Sequence, residues 1–96
     1  LAWGLINLIA KQDLAGSTET IGRLEALQKQ YPDDSSVRVR LAQGLVKLIA
    51  KQDFTGSTKT IGRLEALQKQ YPDDDSVRRL FARGLFHLRD KEYLAD

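Results

Sequence analysis

A segment of fourteen residues, IGRLEALQKQYPDD, occupies residues 21–34 and returns unchanged at residues 61–74. Over the full period of 40 residues, residues 1–40 and 41–80 are identical at 31 of 40 positions. A fixed period of about 20 to 50 residues is typical of stacked supersecondary units, none of which buries its apolar face alone. Because 96 residues suffice for one small domain at most, the repeat predicts a single array over residues 1–96.

The period divides the array into three parts. Repeat 1 spans residues 1–40 and lacks the start of its first helix, because Leu1 aligns with Leu41. Repeat 2 spans residues 41–80, and residues 81–96 form a partial repeat 3 with weaker matching. Since both ends cut through a unit, we expect the chain to be a piece of a longer array.

The first helix of each unit, helix A, has apolar residues at helical spacing. In the second copy these residues are Val37, Leu41, Leu45, Leu48 and Ile49. Pro32 prevents the preceding helix from continuing, and Asp33 or Asp34 provides the negative cap that a helix start requires. Helix A is therefore predicted to begin after the YPDD segment and to end near the KQD of residues 51–53.

The second helix, helix B, carries a core face of apolar residues, which in the second repeat are Ile61, Leu64, Leu67 and Tyr71. Either Asp53 or Ser57 suits its N-cap, as do Asp13 or Ser17 in the first repeat. We favour the earlier start, at the aspartate. The chain is then expected to be all-α, with five helices in the order A-B-A-B-A that form antiparallel hairpins.

Small side chains form a second row on helix B, at Thr58, Gly62 and Ala66. Glycine inside a helix costs up to about 1 kcal/mol relative to alanine, so Gly22 and Gly62 indicate close contact with a neighbouring helix. The alternative is that each glycine is a tolerated weak point.

The unit resembles the tetratricopeptide repeat, a helix-turn-helix module of about 34 residues. The similar stretches are LAQGL at 41–45, KQDF at 51–54 and YPDD at 71–74. The longer period of 40 lengthens each helix by nearly one turn. The resemblance implies an α-solenoid of antiparallel hairpins, a tetratricopeptide-like superhelix, whose ligands lie against the surface of the A helices.

The resemblance also implies which residues line that groove. They are Trp3, Ile6, Asn7, Val39, Gln43, Val46, Lys47, Arg79, Arg83, Phe86 and His87. All three positions at which residues 1–10 and 41–50 differ are among them. Variation at the groove with a constant scaffold is expected when the groove sets specificity, although drift at exposed positions would give the same pattern. Trp3 is either a binding anchor or a contact to an upstream repeat, and His87 is expected to be a surface polar residue.

Three functions follow from this arrangement. The leading hypothesis is a scaffold for protein–protein interaction, which binds a peptide or a partner helix in the groove. The alternative is a structural module that dimerises or stacks end to end, as a homo-oligomer, through exposed faces of its terminal helices. Apolar residues on the last helix motivate it: Phe81, Leu85, Leu88 and Leu94. Nucleic-acid binding is less favoured, because the net charge is only +2 and the basic residues do not form one block.

Other classes lack the residues that they need. The chain has no cysteine and one histidine, so we expect neither a metal site nor a cofactor. Ser17 and Ser57 have no histidine in their own repeats, so we expect no enzyme. No run approaches the roughly 18 apolar residues of a membrane span, and a cytoplasmic protein is the default expectation.

Overall fold

The structure is a computed structural model that describes residues 14–95 and the side chains of residues 16–91. This part of the chain is all-helical and contains no strand, as predicted. Its four helices are α1 (Leu14–Gln30), α2 (Ser35–Lys51), α3 (Phe54–Gln70) and α4 (Asp75–Ala95). The B helices of the repeat are α1 and α3, and the A helices are α2 and α4. The fifth predicted helix, at the start of the chain, lies outside the described residues.

Two aspartates set the helix starts at the predicted places. The Asp34 carboxylate accepts hydrogen bonds from the backbone N–H groups of Ser36, at 2.9 Å, and Val37, at 3.3 Å, so α2 begins directly after it. The Asp53 carboxylate accepts from the N–H of Gly56 at 2.8 Å. These bonds satisfy donors that a helix N-terminus leaves without partners. The earlier start of helix B is thereby confirmed in the second repeat.

Ser57, the other candidate cap, has a different role. Its side chain is buried, and its hydroxyl donates to the Ile49 carbonyl at 3.0 Å, in the last turn of α2. Nearby, the Thr60 hydroxyl donates to Oε1 of Gln52 at 2.6 Å. Both bonds join α3 to the end of α2, so these small polar residues fix the hairpin while satisfying buried polar atoms.

The helices alternate between two layers. The A layer consists of α2 and α4, which are in direct contact, and the B layer consists of α1 and α3, whose backbones do not contact each other. Helix α2 also contacts both B helices, and α4 also contacts α3. The buried apolar core is formed by Ile21, Leu24, Leu41, Ala42, Leu45, Val46, Leu48, Ile49, Ile61, Leu64, Leu67 and Val77. It therefore includes most of the predicted apolar faces of helices A and B.

The predicted close approach at Gly22 and Gly62 is wrong. Both glycines are exposed, and a Cβ added at either would meet nothing within 4 Å among the described residues. Close approach occurs instead at the buried Gly84 of α4, where a Cβ would lie 2.8 Å from Cδ1 of Ile61 and 3.0 Å from Cδ2 of Leu64. The row of small residues on helix B faces solvent, since small side chains suit an exposed helix face as well as a tight contact.

Helix α4 leaves apolar surface uncovered. Leu85 is 44% exposed and Phe86 is 63% exposed, whereas Phe81 and Leu88 pack against the core. The side chain of Leu94 lies outside the described set. None of the helices within residues 14–95 combines the length and the apolar character needed to cross a bilayer.

Candidate functional site

A cleft lies on the A layer between α2 and α4. Its volume is about 270 Å³, and its lining residues are Val39, Gln43, Ser76, Arg79, Leu80 and Arg83. We call it the A-layer cleft. Four of these six residues, Val39, Gln43, Arg79 and Arg83, are among the groove positions predicted from the repeat. The structure thus brings together residues that lie 40 positions apart in the sequence.

Helical spacing places the cleft residues on two facing rows. Val39 and Gln43 are one turn apart on α2, and Arg79 and Arg83 are one turn apart on α4, so each pair shares a helix face. The Gln43 amide is held in place, because its Oε1 accepts a hydrogen bond from Arg40 at 2.8 Å. The cleft thus has an ordered amide on one wall and two guanidinium groups on the other.

The charge of the cleft is positive and not compensated locally. Arg79 and Arg83 are exposed, and within residues 14–95 neither side chain has a carboxylate or hydrogen-bond partner. Helix α2 contributes no acidic residue, since its sequence is SSVRVRLAQGLVKLIAK. Lys47, one turn beyond Gln43, is exposed as well. Clustered cations of this kind attract anionic groups.

The remaining predicted groove residues do not line this cleft. Val46 is only 7% exposed and belongs to the core, because its face of α2 packs inside the molecule; it offers little surface to a ligand. Phe86 is exposed and His87 half-buried. Trp3, Ile6 and Asn7 lie outside the described residues.

Two cleft residues, Ser76 and Leu80, were not predicted from the sequence. Leu80 could have been found from the sequence, because its counterpart in the previous copy is Arg40 and differences between the copies were used to identify groove positions. Ser76 could not have been found in this way, since its counterpart, Ser36, is the same residue type.

A second cluster joins the two units on their other side. The Arg63 guanidinium of α3 makes two hydrogen bonds to the Glu25 carboxylate of α1, of which the Nε to Oε2 bond is 3.2 Å. Nε2 of Gln28 donates to the Tyr71 hydroxyl at 2.8 Å, and that hydroxyl donates to the Pro32 carbonyl at 2.9 Å. Side chains thus connect α1 with α3 and the turn after it, although the two helix backbones stay apart.

Arg38 completes this cluster from the start of α2. Its Nε donates to Oδ2 of Asp74 at 2.8 Å, and its guanidinium carbon lies 4.0 Å from the centre of the Tyr71 ring. Its NH1 group also donates to the Pro32 carbonyl at 3.3 Å. Such a position combines a charge-assisted bond with a cation–π contact. We call the whole set the boundary cluster: Glu25, Gln28, Pro32, Arg38, Arg63, Tyr71 and Asp74.

Asp74 is the acidic centre of the boundary cluster. Burial by itself raises the pKa of its carboxyl, but the hydrogen bond and positive charge of Arg38, together with N–H bonds from Val77 and Ser76, outweigh burial and hold the pKa below its ordinary value. These contacts stabilise the ionised form. Asp74 therefore stays anionic and paired at neutral pH while it also caps α4.

Two further concavities lie beside the boundary cluster. One, of about 240 Å³, lies between α1 and α3 over Leu41 and Leu45. The other, of about 520 Å³, lies beside Tyr71 and the turn that follows it. In each of them an arginine of the lining, Arg63 or Arg38, is already bonded to a carboxylate of the same chain. The A-layer cleft differs in that its arginines have no such partner, so it is the better candidate for a ligand site.

No family model, curated protein or solved structure matches this chain. Its function therefore has to be inferred from its own geometry, charge and repeat.

Proposed function

We propose that this chain is a scaffold for protein–protein interaction that binds an acidic segment of a partner protein in the A-layer cleft. The observation that carries the proposal is the pair of arginines, Arg79 and Arg83, which line a concave surface and lack a carboxylate partner within residues 14–95. Exposed guanidinium groups pair with carboxylates through two parallel hydrogen bonds. A partner that supplies carboxylates would provide the counter-charge that the chain itself does not.

The repeat supports the same proposal. The alternation of helices between two layers at a period of 40 residues is compatible with a tetratricopeptide-like solenoid, in which ligands lie against the A helices. The cleft is formed by the A helices of successive units. Further units would extend it along the same surface.

The spacing of the cleft residues narrows the kind of ligand. Residues one helical turn apart have Cβ atoms about 5–6 Å apart, while alternate residues of an extended peptide are about 7 Å apart on one side. Arg79 and Arg83 therefore suit carboxylates at every second residue of an extended segment, or at every fourth residue of a helix. Val39 and Leu80 supply apolar contact, and the Gln43 amide offers hydrogen bonds to a peptide backbone.

Fluorescence anisotropy with a labelled peptide of alternating Glu and Ala tests this proposal. Arg79→Glu and Arg83→Glu are each expected to weaken binding by about tenfold or more, because a hydrogen bond to a charged group contributes about 1.5–3 kcal/mol and about 1.4 kcal/mol is tenfold. Lys59→Glu is the matched control, since it makes the same charge change at an exposed position of α3 outside the cleft. This control lowers the net charge by the same amount, which has only a small, screened effect on binding. Its affinity should therefore stay within about twofold of the wild-type value.

The proposal fails if Lys59→Glu weakens binding as much as the cleft variants do, or if a peptide of alternating Lys and Ala binds equally well. Binding of a single-stranded oligonucleotide at low salt, with no binding of the acidic peptide, would assign the arginines to nucleic acid instead.

A further inference from the structure

The boundary cluster is built from two halves, one from each unit. The first unit supplies Glu25, Gln28, Pro32 and Arg38, and the second supplies Arg63, Tyr71 and Asp74. Because the repeat is 40 residues long, each of these residues has an identical counterpart 40 positions away. The counterparts of the first half are Glu65, Gln68, Pro72 and Arg78, which we call the Glu65 face. The counterparts of the second half are Arg23, Tyr31 and Asp34, which we call the Arg23 face.

Both faces are open in the structure. Arg78 is 59% exposed, although its counterpart Arg38 is 13% exposed. Tyr31 is 50% exposed, whereas Tyr71 is half-buried beneath Arg38. The same residue types are thus covered at the boundary and uncovered at the two faces.

The charged groups of both faces pair only with near neighbours. Arg23 pairs with Glu19 at 3.5 Å, and Glu65 pairs with Lys69 at 3.2 Å, each within one helix turn. Arg78 likewise pairs with a residue of its own helix, Asp75. Exposed pairs of this kind contribute little. Exchanging them for the contacts of a boundary cluster would therefore sacrifice little stability.

We propose that two copies of this chain stack end to end, with the Glu65 face of one copy bonded to the Arg23 face of the next. Glu65 would pair with Arg23 as Glu25 pairs with Arg63, and Gln68 and Pro72 would bond to the Tyr31 hydroxyl. Arg78 would lie over that tyrosine ring and bond to Asp34. The charges are complementary at each position, and the junction continues an interface that the chain already makes internally. This inference goes beyond the proposed binding of an acidic segment, since the A-layer cleft takes no part in the junction.

The uncovered apolar surface of α4 lies where the stacked copy would cover it. Leu85 is the counterpart of Leu45, which lines the concavity below the Glu25–Arg63 pair and is buried. If α1 of a second copy packs on α4 as α3 packs on α2, Leu85 occupies the corresponding place beneath the new pair. Stacking thus adds apolar burial to the polar contacts.

The Glu65 face and the Arg23 face are different surfaces of the chain, so the proposed junction is head-to-tail. Such an interface leaves a further face open at each end, to which more copies can add.

A charge-exchange experiment tests the junction by sedimentation velocity from micromolar to millimolar concentration. The wild-type mass should rise with concentration. Arg23→Glu and Glu65→Arg should each weaken association at least tenfold, because two like charges then meet at every junction. An equimolar mixture of the two variants should regain association, since an introduced glutamate then meets an introduced arginine and the unchanged pair meets as before.

Lys59→Glu, which lies on neither face, is the control and should associate like the wild type. Circular dichroism of each variant checks folding, which should be unchanged because Arg23 and Glu65 are exposed. The proposal is overturned if the wild type stays monomeric throughout, if either single variant associates like the wild type, or if the mixture does not recover. If the copies associated through the apolar surface of α4 alone, the single variants would associate like the wild type. None of the variants alters Arg79 or Arg83, so the outcome does not depend on whether the A-layer cleft binds an acidic segment.

Discussion

Residues 21–34 and residues 61–74 have one sequence and two sets of neighbours. The Tyr71 hydroxyl has two hydrogen-bond partners at the boundary between units, whereas Tyr31 is half exposed. Glu25 pairs across the boundary with Arg63, whereas Glu65 pairs within its own helix. The segment therefore determines its own helix and turn, and its position in the stack determines what it contacts.

The local structure of the two copies is the same. Each forms the end of a 17-residue helix, Leu14–Gln30 or Phe54–Gln70, followed by one turn. In each turn the tyrosine N–H donates to the leucine carbonyl four residues earlier, at 2.9 Å in the first copy and 3.1 Å in the second. Because local terms cancel between the copies within this segment, the same substitution made in residues 21–34 and in residues 61–74 measures the contribution of stacking alone.

The largest difference is expected between Arg38→Ala and Arg78→Ala. Arg38→Ala should lower the free energy of unfolding by about 2 to 3 kcal/mol, since hydrogen bonds to charged groups contribute about 1.5–3 kcal/mol and Asp74 would lose its cationic partner. Arg78→Ala removes only an exposed local pair and should cost about 0.5 kcal/mol or less. Urea unfolding at neutral pH and a protein concentration low enough to avoid association measures both. Equal costs would contradict the boundary cluster as described.

A smaller difference is expected when the tyrosine hydroxyl alone is removed. Tyr71→Phe leaves the Gln28 amide without its partner, while the Pro32 carbonyl keeps only the bond from Arg38. It should cost about 1 kcal/mol, the usual net contribution of a hydrogen bond. Tyr31→Phe, at the half-exposed copy, should be nearly neutral. The same unfolding measurement compares them, and a neutral Tyr71→Phe would show that water replaces the hydroxyl.

The same effect on stability is expected in both copies when their exposed glycines are replaced by alanine. Gly22→Ala and Gly62→Ala are both expected to raise the free energy of unfolding by up to about 1 kcal/mol, because alanine is the better helix former and an added Cβ meets open space. Gly84→Ala is the contrasting case and should lower stability by about 1 kcal/mol, because overpacking displaces Ile61 and Leu64. A loss at Gly22 alone would indicate a neighbour on that face.

The smallest effect is a dependence on pH through Asp74. Its pKa in the folded chain is lowered, so the carboxylate stabilises the fold above the unfolded-state pKa of about 3.9, and this contribution is lost as the pH falls through the folded-state value. Asp74→Asn should therefore lower stability at neutral pH, and the deficit should shrink below about pH 4. Urea unfolding at both pH values tests this. The deficit should change less with pH in an Arg38→Ala background.

Much of the fold could be predicted because local chemistry decides it. Pro32 and Asp34 mark a helix boundary by steric exclusion and by capping, and both effects act within a few residues. The apolar spacing of Ile61, Leu64 and Leu67 identifies a buried face without any knowledge of what covers it. All of these predictions are confirmed in the structure.

The contacts between units could not be predicted in the same way. Arg38 bonds to Asp74 and Arg63 to Glu25 across 36 and 38 residues, and these pairings depend on the angle and offset at which units pack. The small side chain of Gly62 was compatible with both a contact and an exposed surface, and only packing separates them. The repeat also groups Val39 with Arg79, and both residues line the A-layer cleft, because equivalent positions of successive A helices come together.

The unequal spacing of the two layers has a geometric consequence. The A helices touch directly, whereas the B helices are connected through long side chains such as those of Arg63 and Glu25, so each unit is a wedge with its thin edge on the A side. When wedge-shaped units are added in series, each one bends the array in the same direction. Each further unit would curl the A layer around the inside of the bend, and a bound segment would follow an arc instead of a straight line.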